Sequence, residues 1–424
     1  MKQLSQQVKS LFLGSTLLSS SLMALILKAV GAAANFLMAL VITQQLGAEV
    51  ATSFYVYSYF AIILSVVVRM GMDSVILRQV SMFGRGIVFS TLRRAFGVVV
   101  VCSTLCLALG VGFAQLVSWI STDDVFIVYS IALTWSLTQL LAAAFKGIGR
   151  NAVAAFFDAI PVSCVVIMAV LLGLVPGESL VVLLVALQAI ALVVAFWLMA
   201  QACKGVTQRR NRALIWSIDH MAVDALNLCM IWLPFFVVAA VADEVVASNL
   251  NIIIKLVMVG NLFIAVFNGV TAKRVTRLLS ASESKAALRA ARCQTLYALL
   301  WVFPVTFAVL YAGYRFHLFA GIQHDELVMA MGFLLLAQLI NIVTGPVEVI
   351  LAMARQSRRL LLITMVSFGV SALALSVFVW FSSLVGAALS ILAGVAAFNF
   401  ISAKHVRHQL GGWVFPRFYS ANRI

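Results

Sequence analysis

Apolar runs of about twenty residues recur along the whole chain, separated by short joints that hold most of the charge. At a rise of about 1.5 Å per residue, a helix of that length crosses a hydrocarbon core of about 30 Å. Twelve such runs are expected, at 22–43, 53–77, 94–118, 125–145, 152–174, 179–202, 213–240, 246–270, 294–314, 328–352, 360–381 and 384–403. Residues 3–20 read as a short interfacial helix leading into the first run. Lys28 interrupts the first apolar core, which argues against a cleaved secretory signal.

The joints alternate in sign. One set is basic: Lys2 and Lys9; Arg78 to Arg94; Lys146 and Arg150; Lys204 to Arg212; Lys273 to Arg292; Arg355 to Arg359; and the tail from Lys404. The other set carries Glu49, Asp123, Asp124, Glu178, Asp243, Glu244, Asp325 and Glu326, with Arg315 as its clear cation. Basic joints stay on the cytoplasmic side, so both termini are expected there. Glu49-Val-Ala-Thr-Ser53 resembles Glu244-Val-Val-Ala-Ser248, and Arg150 matches Arg355 in place, at offsets near half the chain. Six spans per half would make the halves parallel. The expected fold is an all-α integral membrane protein, with twelve transmembrane helices in two parallel-related six-helix bundles around a central cavity. Its parts are an interfacial segment at 1–20, bundles at 21–203 and 213–403, a cytoplasmic connector at 204–212 and a basic tail at 404–424.

Composition agrees, with 64 % hydrophobic and 10 % charged residues against roughly a quarter charged in soluble domains. The formal charge of +15 lies in the inner joints and so does not point to nucleic acid. The six cysteines show no metal-ligand or disulfide spacing and read as packing thiols. No GK[ST] phosphate loop, HExxH or GxSxG occurs, so neither an ATPase nor a hydrolase is indicated, and no cofactor is expected.

Candidate chemistry lies in the polar residues inside the spans, where a cation costs about 3 kcal/mol on insertion scales. Lys28, Arg69 and Lys255 fall in three different spans and form a set suited to phosphate. Tyr55, Tyr59, Ile62, Val66, Arg69 and Asp73 share a helical face; Ser248, Asn251 and Lys255 share another, with Lys255 about 12 Å along its span. Tyr59 and Asn251 join the cations as candidate substrate contacts. Tyr55 and Tyr59 suit either stacking on sugars or anchoring at the interface. His220, Asp224 and Asn227 make a third stripe, and Asp224 and Glu348 are candidates for coupling H⁺ or Na⁺. The plainer alternative matches each cation internally, Arg69 with Asp73 and Lys28 with Asp224.

Several stretches resemble the polysaccharide flippases, O-antigen (Wzx-type) branch, of the multidrug/oligosaccharidyl-lipid/polysaccharide exporter (MOP) superfamily. They are Gln45-Leu-Gly47, Met70-Gly-Met-Asp-Ser-Val-Ile-Leu-Arg78, Phe145-Lys-Gly-Ile-Gly-Arg150, Gly345-Pro-Val-Glu-Val-Ile-Leu-Ala-Met353 and Leu384-Val-Gly-Ala-Ala388. Lys28-Ala-Val-Gly31 is similar in place to the Arg-x-x-Gly of lipid II flippases, although Lys replaces Arg and no arginine–aspartate pair follows. The resemblance implies ion-coupled flipping of an undecaprenyl-pyrophosphate-linked oligosaccharide across the bacterial inner membrane. It also implies membrane lipid, a polysaccharide polymerase and a chain-length regulator as partners. A drug/cation antiporter of the same superfamily is the alternative. A major-facilitator transporter is disfavoured by the absence of GxxxDRxGR, and a glycan polymerase or ligase by the short outer joints.

Overall fold

The computed structural model describes residues 16–116, 121–207, 218–280, 283–316, 318–319, 321–354 and 356–415. Most of the expected interfacial segment, half of the connector and the end of the tail lie outside them. Among the described residues the chain forms fourteen α-helices. They are α1 (Thr16–Leu46), α2 (Ala48–Arg69), α3 (Met72–Phe83), α4 (Val88–Leu116), α5 (Thr122–Gly147), α6 (Asn151–Leu171) and α7 (Leu180–Ala202). After them come α8 (Ile218–Val241), α9 (Glu244–Ser280), α10 (Ser284–Arg315), α11 (His324–Thr344), α12 (Val347–Met353), α13 (Ser357–Phe378) and α14 (Ser383–Leu410). Among the described residues, twelve helical stretches are long and apolar enough to cross a membrane, in line with the hydropathy pattern.

Two expected spans are interrupted, each for a local reason. The run at 53–77 breaks after Arg69, where Met70 and Gly71 both take left-handed backbone, at φ 49° and 69°. Met70 is the one non-glycine residue with positive φ among the described residues, and that conformation costs an L side chain energy. Asp73 therefore begins a second helix, α3, instead of extending the stripe of α2. The run at 328–352 breaks at Gly345-Pro346, with Gly345 at φ 76°. Proline has no N–H to continue the ladder, so Glu348 falls on the separate short helix α12.

The described chain divides into two compact units. The first comprises the residues up to Leu46 with Tyr57–Met221; the second comprises Gly47–Val56 with the residues from Ala222 onward. In the first, α5 is the central helix and packs against α3, α4, α6 and α7, while α1 lies along α6. Its stretch from Leu140 to Phe145, near the C-terminal end, is buried in the core. Ser121 caps α5 through reciprocal bonds with Asp124, which also accepts a 2.6 Å hydrogen bond from Tyr57. The cap satisfies N–H groups that a helix end would otherwise leave open.

In the second unit α14 is central and contacts α9, α10, α11, α12 and α13. Small residues let it approach: a Cβ on Gly386 would lie 2.5 Å from the Phe378 carbonyl carbon and 2.7 Å from Val379 N. That obstacle is backbone and cannot rotate away, so Gly386→Ala should lower the thermal midpoint of the purified protein by several degrees, in line with overpacking costs of about 1–3 kcal/mol. Gly369→Ala, which meets nothing within 4 Å, should leave the midpoint unchanged.

Candidate functional site

Arg69 closes α2 and is 7 % exposed. Its Nε lies 3.3 Å from Asp73 Oδ2, an ion pair carried across the Met70-Gly71 break. Its Nη1 is buried with no hydrogen-bond partner, so the guanidinium is only partly satisfied. Buried N–H groups of a charged fork are costly to leave open and are well placed to take an anion's oxygens. Lys28 is half-buried on α1, and Tyr59 is buried on α2; both belong to the same unit as Arg69.

Lys255 and Asn251 lie on α9 in the other unit, at 8 % and 1 % exposure. The Lys255 ammonium sits 4.1 Å from the centre of the Tyr55 ring, within that unit. An aromatic face attracts a cation through its quadrupole, and the attraction strengthens away from water. Phe54 packs edge-on against Tyr55, with ring centres 5.1 Å apart, and Thr52 Oγ1 donates 3.2 Å to the Glu244 carbonyl. The start of α2 is thereby tied to α9. The sequence reading offered Tyr55 as a sugar platform or an interface anchor and missed this role. No spacing rule pairs residues two hundred positions apart.

Asp224 is exposed on α8, not withdrawn into the interior as its stripe suggested. Glu348 is half-buried on α12, outside the two flanking spans, and both acids lie in the second unit. Loss of hydration, and then the charge of Asp224, push the Glu348 carboxyl up to about 7. Sequence reasoning also passed over the buried amides of this unit, Gln338 and Asn399, and the half-buried Asn261, because single amides in apolar runs carry no spacing signal. Among the described residues, no cluster of three His, Cys, Asp or Glu side chains could hold a metal ion.

Two outcomes test this description. Tyr55→Leu should destabilise the protein by about 1–2 kcal/mol and Tyr55→Phe by much less, while Tyr55→Leu combined with Lys255→Met should recover most of the loss. Thermal midpoints of these proteins, with the Lys255→Met single variant completing the cycle, give the coupling. The second concerns pH. The folded value of Glu348 is above the ordinary 4.5, so the native chain keeps a proton that the unfolded chain releases. Its contribution is then lost as pH rises from about 4.5 towards 7, and Glu348→Gln should flatten that part of a stability–pH profile.

No family model matches the sequence, and no curated protein matches it significantly. Solved structures do match. A multidrug resistance MATE family transporter of the MOP superfamily, in an outward-facing conformation, superposes with TM-score 0.62 at 14 % identity, over 95 % of this chain and 97 % of that one. A MOP superfamily transporter from Pyrococcus furiosus, described as having a binding pocket of reverse polarity that suggests a different function, gives 0.62 at 14 %, over 95 % and 98 %. A eukaryotic MATE transporter gives 0.61 at 13 %, over 93 % and 98 %. The chain is a multi-pass, all-helical membrane protein with the fold of the MATE transporters of the MOP superfamily.

Proposed function

We propose that the protein is a transporter that flips an undecaprenyl-pyrophosphate-linked oligosaccharide across the bacterial inner membrane by alternating access. The observation that carries this reading is the sign of the buried charge. Among the described residues, the charged side chains in the buried class are both cations, Arg69 and Lys255. An interior with that polarity favours an anionic head group and opposes a cationic drug. The open Nη1 of Arg69 is the strongest single anion donor, and Lys28 adds charge in the same unit. Tyr59 and Asn251 are the proposed neutral contacts to the glycan. Glu348, with Asp224, would carry the coupling proton or Na⁺. Both termini would be cytoplasmic, and a polymerase and a chain-length regulator would take the product.

Drug/cation antiport is the second reading, and the comparisons favour it, since the similar structures include a multidrug resistance transporter. The reverse-polarity pocket described for the Pyrococcus furiosus protein is a precedent for opposite charge on this fold. Deleting the gene separates the two. On the first reading, surface glycan is lost and undecaprenyl-linked units accumulate on the inner leaflet. A well-expressed Arg69→Gln variant should fail to restore export. Intact glycan with altered sensitivity to cationic drugs would establish the antiporter instead.

A further inference from the structure

Within the second unit, α8, α9, α11 and α14 line a half-open cavity of about 80 Å³ accessible to the centres of water-sized molecules. Roughly 10–15 Å³ by that measure holds one water, so this space accommodates a group of several heavy atoms. None of its eleven lining residues is charged. Three carry amides, Asn261 on α9 and Gln338 and Asn341 on α11, and the remainder of the wall is aliphatic or methionine.

Two of those amides have unanswered atoms. Gln338 is 4 % exposed, and its Nε2 is buried with no hydrogen-bond partner. Asn261 Oδ1 is likewise buried and unpartnered. One is a donor and the other an acceptor, in a wall that is otherwise apolar. Leaving both unmet costs each its hydration, so such groups ordinarily mark a ligand or ordered water. The Gln338 amide lies close to α9 at Gly260: a Cβ there would be 2.8 Å from Nε2 and would also meet the Thr306 hydroxyl.

We propose that this cavity is a binding site for an uncharged hydroxyl-bearing group, with a neutral sugar as its ligand class. A sugar hydroxyl both donates and accepts, so hydroxyls of one ring can answer the Asn261 oxygen and the Gln338 nitrogen alike. The aliphatic walls suit the C–H faces of a pyranose ring. An ion would enter without a counter-charge among the lining residues and would bear its full desolvation cost. The identity of the ligand rests on the glycan-carrier reading. The binding itself is measured without it, because no lipid, pyrophosphate or ion gradient is involved.

The test uses the full-length protein in nanodiscs free of glycoside detergent. Saturation-transfer NMR is recorded with millimolar glucose, galactose and N-acetylglucosamine, and with glucosamine in its ammonium form. At least one neutral sugar should receive saturation, and Gln338→Leu and Asn261→Leu should each weaken it by about tenfold or more. Both variants should keep or raise the thermal midpoint, since an apolar side chain removes an unmet polar atom. If one of them does not fold, the other decides. No transfer to any neutral sugar above the level of the variants overturns the proposal in favour of bound water alone. Stronger transfer to glucosammonium than to the neutral sugars overturns it in favour of a cation site. Sugar binding alongside intact surface glycan in the deletion strain would retain this site while removing the flippase reading.

Discussion

A backbone in hydrocarbon has no water to bond, so every N–H and C=O must be answered within the chain. That requirement makes this protein helical almost throughout, and it makes each departure from helix informative. The two breaks inside expected spans fall at Met70-Gly71 and Gly345-Pro346, and each lies beside ionisable side chains. Arg69 and Asp73 flank the first and join across it; Glu348 follows the second by two residues. Interrupting the ladder frees backbone groups and loosens the packing, which is where charge is least costly to place. The left-handed conformation at Met70 is therefore consistent with a site under functional constraint.

Charge that stays on unbroken helix is handled differently. Lys255 lies well inside α9, where a water shell is lost, and the ring of Tyr55 supplies a face in its place. The ring contact accommodates the side chain within α9 and ties it to the start of α2. Arg69 is the complementary case: a carboxylate holds one edge of the fork while Nη1 stays open. Internal pairing and ligand binding are thus compatible for Arg69.

The hydropathy pattern made the number of spans legible because lipid imposes a length and a composition on each of them. It did not show the breaks, since Met70 reads as an ordinary apolar residue and a single Gly-Pro within a span is often tolerated. Site residues were legible only as types. Arg69, Lys255 and Asn251 stood out as polar groups in apolar runs and are buried. Asp224 stood out in the same way and is exposed, because helical spacing identifies a face without saying what covers it. Tyr55, Asn261 and Gln338 depend on contacts between distant helices, and no local spacing encodes those.

The same physics accounts for a fold retained over 95 % of the chain at 14 % identity. Lipid-facing positions need only be apolar, and any mixture of Leu, Val, Ile, Phe and Ala satisfies them. The constraints that remain are close approaches such as Gly386 against Phe378 and Gly260 against Gln338. Neither depends on the sign of a charge in the interior. Replacing acids by cations at a few buried positions would leave helix packing intact and reverse which substrates are attracted. Fold and substrate polarity can therefore diverge independently within such an architecture. The sign of the buried charge, and not the degree of structural similarity, is the observation from which substrate class should be argued.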